Sequence, residues 1–210
     1  MEYGKKILIL AGCLFLYAIN TPCYGAGLLD QQTVGVLSFH PDREVSLSKL
    51  ATAIVAENLA ELAPEAKVVF GSKLQKQINE ANLDISEITF DSNKDSQQSS
   101  QLIKKIGALL DLDFICFVVI EDAEREGAIK GRYVNRTRAT PVTKLDLKIY
   151  LADAKNGEIL VEKARKGKSS EPLSMLGLCS SAAPGYTDLI RSNSKRLLKK
   201  ILKEAASVEP

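Results

Sequence analysis

The chain has no tryptophan, a single histidine and only four cysteines among its 210 residues. Each scarcity narrows what it can do. A serine or cysteine nucleophile that relies on an imidazole base has one candidate, His40, which stands beside Pro41 at the end of a strand-like run with no local partner. There is no CxxC, no HExxH and no carboxylate cluster at calcium-loop spacing, so neither a metal site nor a cofactor is expected. Gly71-Ser72-Lys73 ends like a phosphate loop but lacks the earlier glycine, and Val69-Phe70 fills the place of the cradle. Tyr133 alone is a thin platform for stacking bases, which argues against nucleic acid. No later apolar run approaches the roughly twenty residues that cross a bilayer as a helix.

What is present is an export leader and an ordinary packed domain. Lys5-Lys6, the thirteen-residue apolar run Ile7–Ile19 and Tyr24-Gly25-Ala26 are the three parts of a secretory signal, with cleavage expected after Ala26. Leu10-Ala11-Gly12-Cys13 also reads as a lipobox that would place a lipid on Cys13. The apolar run continuing beyond it favours cleavage at Ala26 instead. Residues 1–26 are thus read as a signal peptide and 27–210 as one domain. Its 45% apolar and 26% charged content suits a single ordered core. Export places Cys116 and Cys179 in an oxidising compartment, where a disulfide between them is a candidate.

Thr33–Phe39 and Lys67–Phe70 are short apolar runs, with an amphipathic helix over Leu47–Leu62 between them and a second helix over Lys73–Asn82. That rhythm predicts parallel strands joined by a crossover. Asp91–Ser100 reads as a polar loop before a helix over Gln101–Leu110. Asp113–Ile120 is the most buried-looking strand, followed by a charged turn over Glu121–Gly127 and a polar strand over Ile129–Ala139, interrupted by Pro141. Asp111 and Asp113 flank Leu112 where turn formation explains them. Leu145, Leu147, Ile149 and Leu151 then alternate with polar residues, and Asn156-Gly157 suits a tight hairpin in which both residues take positive φ before a partner strand from Glu158. Ser169–Gly185 reads as a loop, and Thr187 as the cap of a long basic final helix. The fold class is therefore α/β, a three-layer sandwich with a mixed sheet, parallel early and an antiparallel meander late, with helices on both faces.

Charge is unevenly spread. Residues 27–120 carry 8 basic against 13 acidic residues, and 121–210 carry 18 against 12. Lys130, Arg132, Arg136 and Arg138 fall on one predicted strand and Lys163, Arg165, Lys166 and Lys168 on another. If those strands are neighbours they form a basic face for anionic lipid, glycan or an acidic protein. Asn135-Arg136-Thr137 is a glycosylation sequon.

The run Ile106-Gly107-Ala108-Leu109-Leu110-Asp111-Leu112-Asp113-Phe114-Ile115 and the later Leu151-Ala152-Asp153, Asn156-Gly157-Glu158-Ile159-Leu160 and Gly167-Lys168-Ser169, followed by a C-terminal helix, resemble the CsgG-like family of envelope proteins. Glu121–Thr140 is too polar for the pore-lining hairpins of that family. The resemblance therefore implies its periplasmic α/β platform, a non-enzymatic adaptor that binds envelope proteins during assembly or secretion; a homo-oligomer is a candidate assembly beside those partners. The alternatives are a lipid-anchored outer-membrane accessory protein and a hydrolase-type enzyme of the cell wall.

Overall fold

The computed structural model describes residues 27–39, 45–90, 96–130, 138–170 and 184–207. Its centre is one five-stranded sheet in the order β2-β1-β3-β4-β5. The strands are β1 Thr33–Phe39, β2 Lys67–Phe70, β3 Phe114–Lys130, β4 Arg138–Asp153 and β5 Glu158–Ser170. The helices are α1 Val45–Leu62, α2 Ser72–Glu80, α3 Ser96–Leu110 and α4 Pro184–Ala205.

β1 runs parallel to β2 on one side and to β3 on the other. The connection through α1 turns one way from β1, and the connection through α2 and α3 turns the other way from β2. Crossovers of one hand must then put their helices on opposite faces. The burial pattern shows this. Val34, Val36, Cys116, Val118, Leu145, Leu147, Ile149 and Leu151 pack with α1 and α4 in one cluster. Leu37, Phe39, Ile115, Phe117, Val119 and Tyr150 pack with α2 and α3 in the other. Alternation along β1 and β3 feeds both layers, which is why these runs are apolar throughout. The three-layer mixed sandwich expected from the sequence is the fold observed.

β4 and β5 form the expected hairpin, with Tyr150 opposite Glu162 and Leu151 opposite Val161. The turn is not the two-residue type. Ala154–Gly157 make one helical turn, closed by Gly157 N–H donating to the Asp153 carbonyl at 2.8 Å, and only Gly157 takes positive φ, at 69°. The Asp153 carboxylate accepts from the backbone N–H of Lys155 and Asn156, at 2.7 and 3.0 Å, an Asx arrangement that replaces the second positive φ. α3 lies directly on this turn. A Cβ at Gly107 would come within 2.6 Å of Ala154 Cβ, so the glycine sets the distance between helix and hairpin.

Five further expectations are corrected. Glu121–Gly127 is not a turn, because β3 continues through it to Lys130 after a register irregularity between Ile120 and Asp122. Ile129–Ala139 is not one strand: Ile129 and Ala139 sit opposite each other at the far end of β3 and β4. Pro141 does not interrupt β4 but pairs with Gly127, one residue beyond Val142, where the pairing of β4 with β5 ends. Among the described residues β4 has one neighbour there instead of two, so a missing N–H is tolerated. α3 begins at Ser96, inside the expected polar loop, and α4 at Pro184, whose fixed φ suits a first helical turn, not at Thr187. Residues 1–26, His40, Tyr133, the sequon and Cys179 lie outside the described residues.

Candidate docking edge

The sheet ends at β2 on one side and at β5 on the other. β2 offers four residues, whereas β5 offers thirteen. Among the described residues β5 pairs only with β4, so its outer side presents a long row of backbone donors and acceptors.

The first half of β5, Gly157–Glu162 with its turn, forms one wall of a groove of about 670 Å³ whose other wall is α3 and the segment Thr89-Phe90. That wall is fixed in place. Phe90 stacks on Tyr150 with ring centroids 3.9 Å apart and meets Phe39 and Phe117 edge-on. Ser99 Oγ accepts from the Thr89 N–H at 2.9 Å, tying the segment to α3. Ile159 and Leu160 are half-buried along this stretch.

The second half of β5 is basic, and its residues alternate between faces. Toward α4, Lys163 meets Glu204 at 2.5 Å and Arg165 Nε donates to Asn193 Oδ1 at 2.9 Å. On the other face, Lys166 meets Asp146 directly across the ladder at 2.9 Å. The hydrogen bond and charge of Asp146 raise the Lys166 ammonium pKa above its ordinary value, with Glu121 and Asp122 adding to it. Lys168 stands opposite Lys144, whose ammonium is itself held by Glu124 at 3.1 Å. Lys168 has no acidic partner among the described residues.

Of the two basic sets expected to merge, the described members sit apart along the sheet. Lys168 pairs with Lys144, six residues along β4 from Arg138, a separation of about 20 Å at the usual strand rise. Lys130 and Arg138 pair at the far end of the β3–β4 ribbon, while Arg132 and Arg136 lie outside the described residues. Cys116 is a buried free thiol in β3, pushed up to about 12 by desolvation. Its expected bridging partner Cys179 is outside the described residues.

A second concavity, about 350 Å³, lies at the carboxyl ends of β1 and β2, where Ser38, Lys49, Thr52 and Gln75 surround the half-exposed Phe70. Among the described residues no group of three or more His, Cys, Asp or Glu is placed to hold a metal ion, and no helix is long and apolar enough to cross a membrane. Sequence reading found the cations of β5 but missed the groove. Its walls come from segments about 60 residues apart, brought together by the stacking of Phe90 on Tyr150 and by the Ser100 hydroxyl donating to the Asn156 carbonyl at 3.3 Å.

No family model and no curated protein matches this chain. Several solved structures are similar to it. The lipoprotein GNA1162 of Neisseria meningitidis aligns over 80% of this chain and 99% of its own, with 14% identity and a TM-score of 0.48. The rare lipoprotein B of Shewanella oneidensis aligns over 85% and 99%, with 10% identity and a TM-score of 0.41. The C-terminal domain of LpoB from Escherichia coli aligns over 69% and 87%, with 15% identity and a TM-score of 0.35. Likenesses of this order leave the function to be read from the chain's own residues.

Proposed function

We propose that this chain is a non-enzymatic periplasmic adaptor of envelope assembly or secretion, which docks other proteins on the open edge of β5. The observation that carries the reading is the thirteen-residue outer side of β5, unpaired among the described residues and lying beside a groove with fixed walls. Strand addition needs a free ladder for affinity and side-chain pockets for selectivity, and β5 offers both. Periplasmic placement rests on the leader over Met1–Ala26. Recovering the protein from a periplasmic extract with Gly27 as its first residue is the expected result for that part.

Docking is tested in cells with a photo-crosslinking residue placed at Ala164 or at Lys105. Ala164 is exposed on β5, and Lys105 is exposed on α3. Discrete adducts to envelope proteins are expected from Ala164 and not from Lys105. Equal labelling at both positions, or none at Ala164, removes the edge as a docking site.

A further inference from the structure

We propose that the occupant of the β5 edge is an extended acidic segment of another protein, which carries two carboxylates one residue apart opposite Lys166 and Lys168. The proposal rests on the reading of β5 as the docking edge and adds the chemistry of the partner. From Lys163 to Lys168 the strand carries four cations and no anion. Lys166 and Lys168 share the face away from α4, and both are exposed, with the Lys166 side chain at 88%. Lys168 is the more demanding of the two, since its inward neighbour in the ladder is Lys144. Among the described residues its charge is unmatched, and an incoming strand would lie on its outer side. Opposite charges directly across a ladder stabilise the pairing, and like charges oppose it.

The same pattern opposes a second copy of this chain wherever the pairing is centred on the lysines themselves. In antiparallel self-pairing about a two-fold axis through the sheet, opposed residues must share a face, so each register is centred on one residue. A centre at Glu162, Lys163, Arg165, Lys166 or Lys168 sets that charge against itself. A centre at Ala164 sets Lys163 against Arg165, and one at Gly167 sets Lys166 against Lys168. Registers centred at Lys166, Gly167 or Lys168 oppose like charges alone, whereas those centred from Glu162 to Arg165 also set Glu158 or Glu162 against a lysine. Lysines that oppose their own kind in those registers also favour a partner of opposite sign. Toward the other end of the strand, Ile159 and Leu160 and the groove beside them ask for an apolar residue in place of a charge.

The test is a fluorescence-anisotropy titration of the mature chain with short labelled peptides of alternating valine and threonine. One peptide ends in Asp-Val-Asp, a second replaces both aspartates by asparagine, and a third keeps the aspartates but N-methylates alternate backbone amides. The acidic peptide is expected to bind about tenfold more tightly than the asparagine version at low salt, the combined effect of two cross-strand charge pairs. The N-methylated peptide is expected not to bind. Lys166→Glu combined with Lys168→Glu, two exposed changes with folding checked by circular dichroism, should abolish the acidic preference and transfer it to a Lys-Val-Lys peptide. Equal binding of acidic and asparagine peptides, both lost on N-methylation, would leave the docking edge standing and overturn the acidic partner. Binding that ignores N-methylation, or no binding of any peptide, overturns the docking edge itself. A wild-type dimer in sedimentation that Ala164→Pro abolishes would make a second copy the occupant and also overturn the proposal.

Discussion

Asp113 is the residue whose removal the structure lets us cost most directly. Its carboxylate accepts from the Thr33 N–H at 2.8 Å and from the Lys155 ammonium at 2.7 Å, joining the start of β1, the start of β3 and the β4–β5 turn. The Lys155 hydrogen bond, followed by the Thr33 N–H, holds its pKa below the usual carboxylate value against the opposing effect of desolvation. Asp113→Ala leaves the Thr33 N–H, which is only half-buried, without its charged acceptor. A hydrogen bond to a charged group contributes about 1.5–3 kcal/mol. The ion pair adds under about 1 kcal/mol, because the Lys155 side chain is 72% exposed and screened by solvent. A loss of about 2 kcal/mol is expected, a fall of about 1 M in the urea midpoint at the slope usual for a chain of this size. Lys155→Ala should cost less than half of that. The pH dependence has a definite sign. A carboxyl whose folded pKa is depressed contributes stability above its unfolded value of about 3.9, and that contribution is lost as pH falls through the folded value. Between pH 7 and 3, Asp113→Asn should therefore lose less stability than wild type. Asp113→Ala unfolding at the wild-type midpoint, or Lys155→Ala costing as much as Asp113→Ala, would refute the assignment of the energy to the Thr33 bond.

Two further outcomes follow from the packing. Gly157→Ala must hold a side chain at φ 69° and push its Cβ into the carbonyl of Ser100. The left-handed conformation alone costs about 1–2 kcal/mol, and with the collision a fall of roughly 5–10 °C in Tm is expected. An unchanged melting curve would show that α3 does not bear on the turn. Cys116 is fully buried and its thiol is pushed up to about 12. In a mature Cys179→Ser chain it should resist a thiol reagent at pH 8 until denaturant is added, and a rapid native reaction would contradict its burial.

The parts of the fold legible in the sequence are those where one physical signal dominates. β1 and the inner half of β3 are continuous apolar runs because both faces are covered, and α1 shows its helical spacing because only one face is buried. The outer half of β3 carries no such signal. Glu121, Asp122 and Glu124 lie beyond the last β1 pair at Val119, where no second layer demands apolar residues, so a strand reads as a charged turn. The start of α3 was hidden for a related reason. Ser96–Ser100 is polar on a helix whose first turns face water, and the buried Ser99 serves as a hydrogen-bond partner for Thr89. For the candidate site, the cations of β5 were visible as composition, but their division between two faces, and the isolation of Lys168 beside Lys144, depend on a ladder register that spacing alone does not reveal.

The unequal lengths of the strands have a mechanical consequence. β3 and β4 pair through Lys130 and Arg138, past the point where β1 and β5 have ended, so a two-stranded arm grows out of the middle of the sheet and not from its border. A load applied at the tip of such an arm, along its length, does not peel bonds one at a time. It passes into the interior as shear, shared at once by the β1–β3 and β4–β5 ladders, and the body resists as a unit.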